Sequence, residues 1–303
     1  MKLPRRARLA AGARFLIGPT PVPTTVEPAA GRPSSGVDFP TDWARRGPAR
    51  MVRKALHEAL MGPAIRAVAR PDVRGLDRLG ALREDEPVIF AANHHSHTDT
   101  PLLLRTIPRP WRDELFVGAA ADYFFPNRLT GAASALALNA IPIERSKVTR
   151  RSADDAARLL EHGWSMLIYP EGGRSPDGWA QPFRGGAAYL ALRCRAPVVP
   201  IHVGGTDRIL PKGKRWPSPG RATVTFGPPL AAAPGEDSRR LAARVEAAVA
   251  ALADEVATDW YSARLRHHAG TTPSLTGPET VAWRRAWSRS ARAGDEPPGR
   301  RWP

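Results

Sequence analysis

The stretch Asn93-His94-His95-Ser96-His97-Thr98-Asp99 crowds three histidines and an aspartate into six residues. Such a density of titratable side chains points to a chemical role, because a packed core rarely needs it. Two chemistries fit. In one, an imidazole is a general base and the Asp99 carboxylate fixes its tautomer, leaving the other ring nitrogen to deprotonate an alcohol near neutral pH. In the other, His95, His97 and Asp99, two positions apart, supply ligands for zinc or iron. Spacing alone leaves both open.

A second cluster is Tyr169-Pro170-Glu171-Gly172-Gly173-Arg174-Ser175. Its glycines let backbone N–H groups approach a ligand closely. Arg174 offers a planar fork for a phosphate or carboxylate, and Glu171 is placed to hold that arginine or a substrate hydroxyl. Two further stretches carry a proline in an apolar run: Ile141-Pro142-Ile143-Glu144-Arg145 and Val198-Val199-Pro200-Ile201-His202.

The elements that must position these groups alternate along the chain. Arg50 to Ala69 has Met51, Leu56, Leu60, Ile65 and Val68 at helical spacing. Val88 to Ala92, Ser165 to Tyr169, Val198 to Val203 and Ala222 to Phe226 are short apolar runs that read as strands, while Ala153 to His162 and Gly186 to Arg195 read as helices. Leu241, Val245, Val249, Leu252 and Val256 mark one face of a C-terminal helix. Strands alternating with helices predict an α/β fold, with both chemical clusters at the C-terminal ends of strands, where such folds place their sites.

Outside this region the composition changes. Residues 1–38 are rich in Pro, Gly, Ser and Thr without periodicity and read as a basic, disordered arm; residues 267–303 are similar, apart from Trp283 and Trp287 one helical turn apart among arginines. The arm's Arg5, Arg6, Arg8 and Arg14 precede prolines, with no small-x-small cleavage site, so it reads as a tail and not as a signal peptide. Lys and Arg number 45 against 29 Asp and Glu, a net charge of +16 that favours anionic partners: nucleic acid, an anionic membrane face or phosphorylated small molecules. The single cysteine, Cys194, excludes an internal disulfide and suits a reducing compartment. No segment approaches the roughly 20 apolar residues that span a bilayer; the longest candidate, Ala132 to Ile143, is short and broken by Ser134 and Asn139.

Taken together, the four motif stretches resemble the glycerolipid acyltransferase family in content, order and approximate spacing over about residues 75–230. The family's Asn-His-x-Ser-x-x-Asp signature is matched by Asn93, His94, Ser96 and Asp99. Its second block ends in an arginine, matched by Arg145. Its Phe-Pro-Glu-Gly-Thr-Arg-Ser block is matched by Pro170, Glu171, Gly172, Arg174 and Ser175, with Tyr169 in place of phenylalanine and Gly173 in place of threonine. Its apolar-Pro-apolar block falls at Pro200, and Phe183-Arg184-Gly185-Gly186-Ala187 stands where the family has a Phe-Lys-x-Gly-like turn before a helix.

The resemblance implies a single acyltransferase domain over residues 39–266: a helical lead-in at 39–70, a catalytic core with a mixed sheet covered by helices at 71–230, and a helix at 236–266, with flexible tails on either side. It selects His94 as base, with Asp99 as its orienting partner. The expected reaction moves a fatty acyl group from an acyl-CoA or acyl-carrier protein thioester to a hydroxyl of a lysophospholipid, foremost 1-acylglycerol 3-phosphate, in phospholipid biosynthesis. The thioester is a co-substrate; no cofactor or metal is expected. Arg145, Glu171, Gly172, Arg174 and Ser175 are the expected substrate-binding residues, with Asn93, Ser96, Pro170, Gly173 and Pro200 as supporting motif positions. The site is expected on the cytoplasmic side, held peripherally to the inner face of the cell membrane through anionic lipid. Two alternatives compete with this reading. A metallo-β-lactamase-like hydrolase would use His95, His97 and Asp99, with His162 and His202 at plausible later positions, but Thr100 stands where its motif needs a histidine. A nucleic-acid-binding protein would account for the charge, but no helix-turn-helix, zinc finger or aromatic ribonucleoprotein motif is present and the arginines form no single stripe.

Overall fold

A computed structural model describes residues 36–144, 150–175, 178–211 and 213–277. The basic arm, Arg145 and the Trp283/Trp287 stretch lie outside the described residues.

The chain enters through helix α1 (Gly47–Leu56), a π-helical turn (His57–Met61) and helix α2 (Gly62–Ala69). Strand β1 (Asp72–Arg74) and strand β2 (Ile89–Ala92) follow, then α3 (Asp99–Thr106), α4 (Arg109–Arg112) and β3 (Leu115–Ala120). Next come α5 (Ala121–Phe124), α6 (Arg128–Leu138), β4 (Ala140–Ile143), α7 (Arg150–Glu161) and β5 (Ser165–Ile168). The chain closes with α8 (Gly186–Cys194), β6 (Val198–Gly204), α9 (Thr206–Ile209), β7 (Thr223–Phe226), α10 (Ser238–Ala257) and α11 (Trp260–His268). The expected single helix over 236–266 is therefore two helices, separated where the Asp259 carboxylate accepts the Ser262 N–H and caps the second.

The seven strands form one mixed sheet in the order β1-β7-β6-β2-β5-β3-β4. All neighbours run parallel except the β6–β7 pair. Successive residues of a strand face opposite sides of a sheet. Phe90 and Ala92 accordingly pack with Leu102, Leu103, Ile107 and Ile65 on one face, and Ile89 and Ala91 pack with Leu160, Leu190 and Leu241 on the other. Because both faces are covered, the central strands are apolar throughout and read in the sequence as continuous runs.

Pro200 sits in β6, an interior strand, where a missing N–H ordinarily breaks the ladder. Here the neighbouring chain bows away. Gly227 donates to the Pro200 carbonyl, and pairing resumes at the Val198–Leu230 bridge. A Cβ on Gly227 would lie 2.8 Å from Pro200 Cγ, so the proline ring requires the glycine opposite it.

Candidate active site

β2 and β5 are adjacent and parallel, so the loops after them emerge side by side at one edge of the sheet. The first carries Asn93 to Asp99 and the second Tyr169 to Ser175. The Asn93 amide, fully buried, donates to the Val203 carbonyl and accepts the Val203 N–H, continuing the β2–β6 ladder with a side chain. The buried Ser96 hydroxyl donates to the Leu210 carbonyl at 2.9 Å and accepts the Thr98 N–H, which closes the turn into α3.

Asp99 is the first residue of α3 and is fully buried. Its Oδ2 accepts three N–H groups: His94 Nδ1 at 2.8 Å, the His95 amide at 2.7 Å and the Ser96 amide at 2.8 Å. The two backbone donors fix the oxygen, and the oxygen fixes the imidazole. With Nδ1–H committed to Asp99, Nε2 is left with its lone pair and no protein partner among the described residues. The ring also stacks on Tyr169, with centroids 4.0 Å apart and planes at 17°. Tyr169 bonds Thr100 Oγ1 at 2.9 Å, and burial holds its phenol well above the usual range.

The other two histidines point elsewhere. His97 Nε2 bonds the Tyr123 hydroxyl at 2.8 Å and stacks on that ring. Burial, and then the nearby Arg174 charge, push its pKa down to about 4. His95 Nδ1 is buried without a hydrogen-bond partner, and burial lowers its pKa. The metal arrangement of His95, His97 and Asp99 is thus not formed. Among the described residues no three His, Cys, Asp or Glu side chains converge as a metal would need.

His94, Tyr169 and Arg174 line a cavity of about 490 Å³, whose walls are mainly apolar and come from β3, α5, Leu138 and Ile143. Gly172, Gly173 and Arg184 complete the polar end. Gly172 has φ +72°, and a Cβ there would meet the Arg184 guanidinium at 3.1 Å, so the glycine both makes the turn and makes room for the arginine. Arg184 was not among the expected site residues; the only signal for it was a basic side chain in the Phe183–Ala187 turn before a helix.

Two expected substrate-binding residues serve the scaffold instead. Glu171 is buried and does not line the cavity; its Oε1 accepts the His94 N–H and its Oε2 the Gln181 N–H, both at 2.7 Å. It is paired with backbone, and not with Arg174 as expected. Burial pushes its carboxyl up to about 8, the two backbone donors acting in the other direction. The buried Ser175 hydroxyl donates to the Trp179 carbonyl and accepts the Gly178 N–H, holding a local turn. Pro200, in β6, supports the sheet beside the site, and Pro170 lines the cavity.

A model of the Acyltransferase family matches residues 70–204, which include both loops. A chloroplastic 1-acyl-sn-glycerol-3-phosphate acyltransferase of Brassica napus is 31% identical over 48% of this chain and 40% of its own length. The 1-acyl-sn-glycerol-3-phosphate acyltransferase alpha of Mus musculus is 28% identical over 63% of this chain and 66% of its own. The chain spans about two fifths to one half of the length of the plant and algal relatives it matches. Among solved structures, the 1-acyl-sn-glycerophosphate acyltransferase PlsC of Thermotoga maritima shares the fold, with a TM-score of 0.53 at 22% identity over 74% of this chain and 86% of that one. With the two motif loops meeting at one sheet edge and the family match spanning them, residues 70–204 form an Acyltransferase-family domain similar to part of the 1-acyl-sn-glycerol-3-phosphate acyltransferases.

Proposed function

We propose that the protein transfers a fatty acyl group from an acyl-CoA or acyl-carrier protein thioester to the free hydroxyl of 1-acylglycerol 3-phosphate. The observation that carries this is the His94–Asp99 pair opening onto an apolar cavity whose polar end holds Arg174 and Arg184. His94 Nε2 takes the proton of the acceptor hydroxyl, and Asp99 stabilises the imidazolium that forms. The oxygen attacks the thioester carbonyl, the carbon–sulfur bond breaks, and the leaving thiolate takes the proton from His94. No residue is acylated, so no nucleophilic serine or cysteine is required. Cys194 is at the end of α8, away from the cavity lining, and burial raises its thiol pKa, which suits a packing role.

Arg174 gives the acceptor phosphate a planar, bidentate partner. His97 stays neutral beside it and does not compete for the anion. The apolar walls of β3 and Ile143 suit an acyl chain. The acceptor and product are lipids, and no helix among the described residues is long and apolar enough to cross a membrane. We place its work at an anionic membrane face, as a peripheral protein on the cytoplasmic side of the cell membrane, because its acceptor and product in this reading are lipids. Exposed Met51, Val52 and Leu60 beside Lys54 on the lead-in helices support that placement.

The test is release of free thiol by the purified full chain, offered acyl-CoA and acyl-carrier protein donors against a panel of lysophosphatidate, glycerol 3-phosphate, neutral lysolipid and glycolipid acceptors. Turnover highest with lysophosphatidate supports the assignment. Turnover confined to an acceptor without phosphate refutes it.

A further inference from the structure

A second cavity, of about 270 Å³, lies between α1, the π-helical turn, α3 and α4. Five cationic side chains line it: Arg50, Arg53, Lys54, Arg105 and Arg112. Only two carboxylates do, Glu58 and Asp113. Glu58 is drawn to Arg112 at 3.5 Å and to Arg109 at 3.8 Å, and Arg50 pairs with Glu114 outside the lining at 3.3 Å. Arg53, Lys54 and Arg105 are left without a carboxylate partner among the described residues.

Arg53 is the informative member. It is 8% exposed, and its one side-chain hydrogen bond among the described residues is from Nη1 to the Ala44 carbonyl at 2.8 Å. Burial, with Arg50 and Arg45 nearby, pushes its pKa down to about 10. A buried guanidinium crowded by other cations is costly unless an anion completes it. Arg105 lies across Gly62, where a Cβ would come within 3.5 Å of its Nε. The π-helical turn contributes His57, Glu58 and Met61 to this wall, and such turns are frequent at functional sites.

The position of the cavity narrows the kind of anion. Met61, Pro101 and Leu138 line both this cavity and the catalytic one, so the two share a wall of apolar side chains. Met51, at the rim, is 74% exposed, with exposed Val52 and Leu60 on the same helical segment. A cationic recess lined in part by exposed Met51 and by Met61, Pro101 and Leu138 is complementary to an amphiphile with an anionic head.

We propose that this cavity is a second lipid site, holding the phosphate head of an anionic phospholipid between Arg53, Lys54 and Arg105, separately from the acceptor phosphate at Arg174. The lipid identity rests on the function proposed above; the phosphate chemistry rests on the cations alone.

The experiment is calorimetric titration of the full chain carrying Arg174→Ala, which weakens the catalytic phosphate contact. The probes are dihexanoyl phosphatidic acid below its micelle concentration, dihexanoyl phosphatidylcholine, inorganic phosphate and coenzyme A. Phosphatidic acid is expected to bind, and Lys54→Glu and Arg105→Glu are each expected to weaken it on the order of tenfold, the loss of one charge-assisted contact. Lys54 is exposed, so Lys54→Glu alone keeps the test valid if Arg105→Glu fails to fold. Unchanged affinity in a folded Lys54→Glu protein overturns the site. Inorganic phosphate or coenzyme A binding as tightly as phosphatidic acid overturns the lipid and leaves a free-phosphate site. Phosphatidylcholine binding equally well overturns the role of charge. Since the readout is binding, absence of acyl transfer in the wild-type protein would refute the proposed function without altering this result.

Discussion

Asp99→Asn separates the two things Asp99 does. The Asp99 Oδ2 position is fixed by the His95 and Ser96 amides as well as by His94 Nδ1. An asparagine side chain satisfies all three donors only with its carbonyl oxygen in that place. Its NH₂ then takes the Oδ1 position, which is buried and has no hydrogen-bond partner. The backbone amides therefore select the amide orientation that keeps the His94 tautomer correct. What is lost is charge. Unit charges about 4 Å apart at an effective dielectric of about 20 interact by about 4 kcal/mol. That is a ceiling, and the remaining amide dipole recovers part of it. The expected fall in kcat is on the order of 10²–10³, while His94→Ala loses the base itself and up to the upper end of 10²–10⁴. The unpartnered buried NH₂ costs about 1–3 kcal/mol of stability, a Tm decrease of roughly 2–4 °C per kcal/mol for a domain of this size. Thiol release at saturating substrate, with melting curves alongside, measures both. An Asp99→Asn protein that melts normally yet is as inactive as His94→Ala would refute the argument that the amides hold the register. Full activity would refute the charge.

Arg174→Ala is expected to raise KM for lysophosphatidate by about 10–100-fold, with Arg174→Lys recovering only part because lysine lacks the fork; equal KM values across phosphorylated acceptors would contradict the assignment. Above pH 8, where the Glu171 carboxyl is ionised, Glu171→Gln places an NH₂ against either the His94 or the Gln181 N–H, so both Tm and kcat are expected to fall, by about 1–3 kcal/mol in stability; a variant with wild-type melting and turnover there would contradict the scaffold role. Burial, followed by the nearby His95, pushes His202 down to about 4 from its ordinary 6.5, so the folded protein binds fewer protons than the unfolded chain between those values. Its contribution is present above pH 6.5 and is lost as pH falls toward 4, amounting to at most about 3 kcal/mol. Urea unfolding at pH 7 and pH 5 should show a smaller acid-induced loss in His202→Leu than in wild type.

The sheet was legible where burial made it so. Val88–Ala92, Ser165–Tyr169 and Val198–Val203 are strands covered on both faces, and their apolar runs announce them. β1 left no such trace, because a three-residue edge strand of Asp72, Val73 and Arg74 has little to bury. β3 carries a weak strand signal although Leu115 to Ala120 is apolar, because Gly118 and its two alanines have little strand propensity. A Cβ on Gly118 would lie 2.6 Å from Ile143 and 2.9 Å from Met166, so packing set that residue. In the site, the loops and His94 were legible from motif resemblance. The partner of Glu171 was not, since it is the backbone of a residue 77 positions away and no local pattern encodes it.

That long-range contact explains why the two loops act as one part. The β5 loop takes hold of both backbone polar groups of His94: Glu171 accepts its N–H, and the Ser175 N–H donates to its carbonyl at 2.8 Å. Tyr169, from the same loop, covers the face of the imidazole, and Asp99 holds Nδ1. The His94 residue is thereby fixed at four points, and the unheld group is Nε2, the nitrogen given the proton transfer in the proposed function. Arg174 is the residue just before Ser175 in that loop, so the side chain proposed to receive the acceptor phosphate and the amide that holds His94 belong to covalent neighbours. The separation between the His94 and Arg174 backbones is then set by a short tied loop. Such fixed geometry is what converts a bimolecular encounter into an effectively unimolecular step. It also accounts for a buried carboxylate being spent on two backbone amides while the substrate is left to arginines: a displacement of the loop by Glu171→Gln would move the base and the phosphate contact together.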